Sequence, residues 1–252
     1  MVDNSLGEEE TERVAREFGV RYTVEPITGL SRARNRGLSE SNTDLVAFID
    51  DDARADEKWL GLLVAPFADP LVAVATGETV ELDSETDALK NKPPRMLTSQ
   101  SPLWFEIATF GGLGFGTNMI VRKSLCTGGQ FFDVRLGRGT PIRLGEESHA
   151  FASLLKRGYS AVHVPQAIVV HPSWPRDIQL EASSSMAYWL LLFVESPDHR
   201  GDLLRFLFRR VRRVPLSWDR KPQLPGDLIT SGWRVYLRAG LNALRLFARG
   251  WK

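Results

Sequence analysis

Apolar residues recur with helical spacing over 6–18, 29–38 and 55–67, and as short strand-like runs over 20–24, 45–49 and 71–76. Helix and strand therefore alternate, which predicts an α/β fold. Ser5 followed by Glu8 has capping-box spacing and predicts a helix start at Leu6. Ser31 is the expected N-cap of the second helix. The run Leu45 to Ile49 has no polar break and ends in Asp50-Asp51-Asp52, which predicts a strand buried on both faces with acids at its C-terminal tip. A helix over 55–67 would set Trp59, Leu60, Leu63 and Val64 on one face.

Between 78 and 115 the pattern weakens. Pro93-Pro94 and Gly111, Gly112, Gly114 and Gly116 predict irregular backbone. A strand over 118–122 follows, then a helical turn from Ser124 that ends near Gly128-Gly129. A loop rich in glycine and arginine, 135–145, leads to a helix over 146–157 with Phe151, Leu154 and Leu155 in register. Strands over 161–164 and 167–170 come next, the second closed by His171-Pro172. The remainder reads as helices over 179–195, 202–211 and 229–247, with a Pro-rich stretch, 214–226, between the last two.

At 252 residues the chain can bury one large core with an appendage. Its single cysteine, Cys126, excludes a disulfide framework or a Cys-based zinc site within one chain and fits a reducing, cytoplasmic setting. The N-terminus is acidic and polar, unlike a signal peptide. The net charge of +1 conceals two halves. Residues 200–252 carry 13 Lys and Arg against 3 Asp and Glu, and residues 1–199 carry 19 against 28. A basic tail attracts phosphates. Arg205, Arg209, Arg210, Arg212 and Arg213 interleave with Leu203, Leu204, Phe206, Leu207 and Phe208. That pattern suits either a helix on a membrane surface or one packed on the body with a solvated basic face. No recognition motif accompanies the charge, so nucleic acid is not an expected partner.

Three adjacent carboxylates at a strand tip call for a cation, and hard Mg²⁺ or Mn²⁺ fits oxygen ligands; the alternative is a solvated acidic turn. Glu146-Glu147 at a helix start reads as dipole compensation or as a source of a general base. His171 is structural or a third protein ligand to that cation, and His149 reads as a helix-surface residue. Arg34 and Asn35, if turned toward the acids, suit a diphosphate, as do Arg135, Arg138 and Arg143 with less support. The cluster Gly111-Gly112-Leu113-Gly114-Phe115-Gly116 does not match G-x-G-x-x-G and reads as a flexible wall beside a substrate. No G-x-x-x-x-G-K-[ST] sequence occurs, which excludes a P-loop NTPase.

In order, the chain carries Asp-Asn-Ser at 3–5, Gly-Leu-Ser-Arg-Ala-Arg-Asn-Arg-Gly at 29–37, and Phe-Ile-Asp-Asp-Asp at 48–52 with Trp59-Leu60 beyond. Then come Gly116-Thr117-Asn118, Gly-Gly-Gln-Phe-Phe-Asp at 128–133, Gly145-Glu146-Glu147, Arg157-Gly158-Tyr159 and Val-Val-His-Pro at 169–172. This order resembles the GT-A family 2 glycosyltransferases over residues 2–172. The resemblance implies an open mixed sheet flanked by helices over 1–175 and a basic helical extension over 176–252. It implies inverting sugar transfer from a nucleotide-diphospho-sugar to the hydroxyl of a sugar or lipid-linked acceptor, with Mg²⁺ or Mn²⁺. Asp50, Asp52 and His171 would hold the metal, Asp51 would lie near the ribose and Asp3 near the base of the nucleotide. Arg34 would approach the diphosphate. Glu147, where the family usually has Asp, would deprotonate the acceptor. Together with the basic tail, this implies a peripheral place on the inner face of the cell membrane.

The resemblance also implies that the chain opens on the tail of the family's second strand, leaving out the first strand and helix. Three explanations follow: a start assigned downstream of the true one, a broken gene, or a shortened relative. The rival to an enzyme is a catalytically weak relative acting as a membrane-surface or partner-binding module.

Overall fold

The computed structural model describes residues 1–5, 9–82, 84–126, 130–172, 177–211 and 241–248. The expected helix start at Leu6, the glycines 128 and 129, the Pro-rich stretch 214–226 and most of the helix expected over 229–247 lie outside them.

The elements follow in order. β1 (Val2–Asp3), α1 (Glu9–Glu17) and β2 (Thr23–Val24) open the chain, and the two strands pair in parallel. α2 (Leu30–Glu40), β3 (Leu45–Phe48), β4 (Arg54–Ala55) and α3 (Trp59–Val64) follow. Then come β5 (Val72–Val80), α4 (Asp87–Lys90), β6 (Arg95–Leu97), α5 (Trp104–Thr109) and β7 (Met119–Arg122). α6 (Glu146–Lys156), β8 (Ser160–Val170), α7 (Ile178–Glu195) and α8 (Arg200–Val211) complete the numbered elements, and residues 241–248 are helical. The main sheet runs β3-β7-β5-β8-β4, with β6 also on β8. β5 and β8 are parallel and every other pairing in that sheet is antiparallel, so the sheet is mixed.

Several expectations need correction. β3 is not buried on both faces. It is an edge of the main sheet, paired only with β7 among the described residues, so its side chains are at best half-buried and Ala47 is exposed. The helix expected over 55–67 is shortened at both ends. Ala55 pairs with Val169 in β8, and Pro66 sits in a 3-10 turn, Ala65–Ala68. Of the expected face Leu63 is buried, whereas Leu60 and Val64 are exposed, and Phe67 is buried instead. Ser31 does not cap α2. Gly29 holds that position, and the Ser31 hydroxyl donates to the carbonyl of Leu136 at 2.7 Å.

The two strands expected over 161–170 are one strand across Pro165. The register against β5 shifts between Gly77 and Glu78, so the extra residues form a bulge, where a missing N–H is tolerated. Gly77 is required there, because a Cβ would lie 2.0 Å from the carbonyl oxygen of Ala167. The weakly patterned stretch 78–115 holds β6 and the buried six-residue helix α5. A helix of that length shows too few turns for periodicity to reveal it.

The core has three parts. Leu38, Leu113, Phe132, Phe151 and Leu155 cover one side of the sheet, and Leu63 and Phe67 cover the other with Ile120 and Val162. The third part joins α5 and the 136–144 loop to α7, α8 and Ala243. On α8, Leu203 and Phe206 face inward, and the Phe206 ring stacks on Phe110 at 3.8 Å. Arg205 and Arg209 reach the buried Glu106 carboxylate of α5 at 3.1 and 3.2 Å. This side of α8 therefore packs on the body, while Leu204, Leu207 and Phe208 remain exposed.

Candidate active site

The pairing of β4 with β8 sets Arg54 opposite Val170, which brings Asp52, two residues earlier, beside His171, one residue later. Asp52 Oδ1 lies 3.1 Å from His171 Nε2, and Asp50 Oδ2 lies 3.7 Å from the same nitrogen. Ligand atoms of Asp50, Asp52 and His171 all fall within 4.8 Å of one another. His171 Nδ1 is 2.7 Å from the carbonyl oxygen of Pro172. A carbonyl only accepts, so Nδ1 carries a proton, and Nε2 faces the two carboxylates. Such a ring, oriented by its second nitrogen, is built as metal ligands are. The donor set of two carboxylates and one imidazole fits a divalent cation. The turn is held by Ala53 N–H donating to Asp50 O, and by Thr117 Oγ1 at 3.4 Å from Asp50 N.

Arg34 links this turn to α6. It is 7% exposed, with Nη1 2.9 Å from Glu146 Oε1 and Nη2 3.9 Å from Asp50 Oδ1. Its path runs against Gly116, where a Cβ would lie 2.3 Å from Nη2, so only glycine leaves it room. The guanidinium also stands 5.7 Å from the centre of the Phe132 ring. Asn35 fixes that segment by donating to Phe132 O at 2.7 Å and accepting from Phe132 N at 2.9 Å.

Glu146 pairs with Arg34, and Glu147 stands beside it, its side chain hydrogen-bonded to Glu146. Glu147 Oε2 is occluded and has no hydrogen-bond partner, although part of the residue keeps some exposed surface. Burial first, and the Glu146 charge second, push the Glu147 carboxyl up to about 8, with Arg34 opposing. A carboxyl tuned toward neutrality can take a proton from an alcohol.

The other residues singled out in the sequence lie as follows. Asp51 is exposed in the turn. Asp3 is buried at the end of β1, where Oδ1 accepts from Ser5 N and Oγ at 2.7 and 2.5 Å, and Oδ2 from the Tyr22 hydroxyl at 2.6 Å. Arg135 is engaged by Asp133 at 2.5 Å and Glu195 at 2.7 Å, while Arg138 and Arg143 are exposed. His149 is not a surface residue. It is half-buried between Asp133 and Glu195, and burial pulls its ring below the ordinary histidine range. The glycine cluster is not a loose wall. Cβ atoms at Gly112 and Gly114 would meet Ile107 at 2.9 Å and Thr76 at 2.7 Å, so close packing requires these glycines.

Two residues received no individual role from the sequence, although Asn118 stands in one of the quoted motifs. Asn118 is fully buried and ties three elements, accepting from Trp59 Nε1 at 2.7 Å and donating to the carbonyls of Glu78 and Ala167. Tyr188 of α7 packs its ring on Gly145, directly before Glu146. Its position in an apolar helix marked it only as core.

The mixed sheet carries an acidic turn at one strand end, linked through Arg34 to the start of α6. The sequence matches glycosyl transferase family 2 over residues 1–127, and the chain belongs to that family. A glucosyl-dolichyl phosphate glucuronosyltransferase of Haloferax volcanii is 38% identical over 81 residues, covering 30% of this chain and 26% of that protein. The chain thus spans about a quarter of that curated relative. A mannosyltransferase of Pyrobaculum calidifontis, solved with GDP-Man and Mn²⁺, superposes with a TM-score of 0.59 at 15% identity, covering 99% of this chain and 76% of that one. Staphylococcus aureus TarS 1-349 superposes with a TM-score of 0.60 at 15% identity, covering 99% and 70%. The fold is GT-A.

Proposed function

We propose that the protein is an inverting glycosyltransferase that moves a sugar from a nucleotide-diphospho-sugar to an acceptor hydroxyl with Glu147 as general base. The observation that carries the reading is the Glu147 carboxylate: its Oε2 has no partner, its proton affinity is raised to about 8, and it stands beside a Glu146–Arg34 pair that reaches the aspartate turn. The acceptor oxygen attacks the anomeric carbon as the bond from that carbon to the diphosphate breaks. The electron pair leaves with the nucleoside diphosphate, and the acceptor proton passes to Glu147.

Asp50, Asp52 and His171 would hold the divalent cation, which supplies positive charge where the leaving diphosphate becomes more negative. The imidazole in the set favours Mn²⁺ over Mg²⁺, because a nitrogen donor suits the less hard ion. Arg34 adds positive charge on the same side, fixed by Glu146. Asp51 and Asp3 are assigned to the ribose and the base of the nucleotide. The residues 1–175 form the transferase domain and 176–252 its basic extension.

A lipid surface is the second contact we assign. α8 exposes Leu204, Leu207 and Phe208, and the helical stretch 241–248 exposes Leu241 and Leu244, all within the segment that carries 13 basic and 3 acidic residues. No helix among the described residues is long and apolar enough to cross a membrane.

Calorimetry with UDP- and GDP-linked sugars tests the donor site. Mn²⁺-dependent binding of at least one donor is expected, weakened at least tenfold by Asp52→Asn or His171→Ala. Equal binding with and without metal would contradict the assignment.

A further inference from the structure

The bulge in β8 is the pivot of the proposed metal site. Before it, Gly77 of β5 pairs with Val164; after it, pairing resumes with Glu78 opposite Ile168. The resumed segment, 168–170, has three attachments. Val169 and Val170 pair with Ala55 and Arg54 of β4, and the amide of Asp56 donates to the carbonyl of Ile168 at 3.0 Å. The amide of His171 donates to the carbonyl of Val80 at 2.9 Å. The aspartate turn is thus fastened along one side of this segment, and His171 is fastened to its end. The point at which β8 resumes pairing decides whether Asp52 and His171 meet, since a slip of one residue turns a side chain to the opposite face of the sheet.

The side chain of Asn118 is set into that bulge. It is fully buried, and its amide nitrogen donates to the carbonyl of Ala167 at 2.9 Å and to that of Glu78 at 2.8 Å. Ala167 is the last residue before β8 resumes pairing, and Glu78 is the first residue of β5 beyond the bulge. The amide oxygen of Asn118 accepts from Trp59 Nε1 at 2.7 Å, at the start of α3, the helix that follows β4. Gly77 leaves room for this amide, because a Cβ there would lie 2.5 Å from Asn118 Nδ2. A bulge disrupts the ladder and leaves backbone groups to be satisfied elsewhere, and here one amide meets two of them. Its three side-chain hydrogen bonds go to the two sides of the bulge and to α3, so it acts on the metal ligands through those elements.

We propose that Asn118 is a positioning residue for the divalent cation: with Trp59 as its partner, its amide holds the bulge and α3 in the register that sets His171 beside Asp50 and Asp52. The proposal rests on the reading of those three residues as metal ligands. Asn118 itself binds neither metal nor donor. A metal site needs its ligand atoms within about 0.2 Å of their proper distances, so a small shift of the resumed segment weakens binding even where the fold survives.

The test is a Mn²⁺ titration of the full chain in the presence of UDP and, separately, of GDP, with paramagnetic broadening of the histidine ring signals followed by NMR. The chain has four histidines, and the His171 signal is identified by its loss in His171→Ala. The variants are Asn118→Ala, Trp59→Phe and Leu63→Ala. Trp59→Phe keeps an aromatic ring and removes the N–H, so it decides the matter if Asn118→Ala does not fold. Leu63→Ala hollows the core beneath α3 and lowers the melting temperature without removing a hydrogen bond. The expected result is that Mn²⁺ broadens the His171 signal first in the wild type and in Leu63→Ala, whereas Asn118→Ala and Trp59→Phe need about tenfold more Mn²⁺. A wild-type response in Trp59→Phe, or in a folded Asn118→Ala, overturns this inference alone. Equal weakening in Leu63→Ala also overturns it, because any loss of stability then has the same effect. A wild type whose His171 signal is not broadened selectively overturns the metal assignment and this inference with it.

Discussion

At the scale of single residues, the site separates two adjacent carboxylates by their surroundings. Glu146 is anchored by Arg34 at 2.9 Å, and Glu147 is left occluded and unpaired at Oε2. The consequence for stability has a definite sign. The folded protein holds the Glu147 proton up to about 8, against an ordinary value of 4.5. This group's contribution to stability is therefore full below about pH 4.5 and is lost as pH rises through about 8. Without metal or donor, the melting temperature of the wild type should fall relative to that of Glu147→Gln across that window. Parallel melting curves at every pH would show that Glu147 is not held protonated. Activity should follow the opposite course and fall as pH drops below about 8, where the base takes up its proton.

Individual residues were also where the sequence was most informative about chemistry. The three aspartates stood out because adjacent carboxylates ending an apolar strand call for a cation, and His171 was one candidate third ligand beside its structural reading. The strand pairing that brings Asp52 within 3.1 Å of His171 was not readable from one chain. Tyr188 and Asn118 were hidden for a different reason: a buried aromatic in an apolar helix and an asparagine before a strand resemble ordinary core and turn residues. Only their unpaired or threefold hydrogen bonding distinguishes them.

At the scale of elements, the long helical patterns and the strands expected over 45–49 and 118–122 survived, while the six-residue helix α5 left no pattern to read. α6 and α7 fall within a residue of their expected bounds at either end, because several turns of apolar spacing specify a helix. β3 was misjudged because an unbroken apolar run reports hydrophobicity and not position in the sheet; an edge strand whose alternate faces pack on two cores reads the same way. The basic character of α8 left two readings open. Its geometry shows arginines spent inward on a buried carboxylate as well as apolar residues turned outward. Replacing Arg205 and Arg209 together by alanine strands Glu106 without compensation. Urea unfolding should then show a loss of about 3–5 kcal/mol, whereas a loss within about 0.5 kcal/mol would mean that the pair is only a surface contact.

At the scale of the whole molecule, the GT-A sheet places the acidic turn and the start of α6 around Arg34, and α7 and α8 share a core with that body. The C-terminal helices therefore do two things at once: one side closes the region behind Gly145, and the other turns apolar and basic groups outward. Sedimentation with vesicles should show binding to membranes containing about a third anionic lipid that weakens as salt rises. Leu204→Ser with Phe208→Ser should reduce it without changing the melting temperature. Equal binding to neutral vesicles at high salt would remove electrostatic attraction from the account.

Turnover of a nucleotide-linked sugar by the wild type and by Glu147→Gln, with saturating Mn²⁺, tests the central claim most directly. The account predicts a fall of about 10²–10⁴-fold in kcat with the donor affinity unchanged. A Glu147→Gln protein that turns over its donor within twofold of the wild-type rate would contradict it.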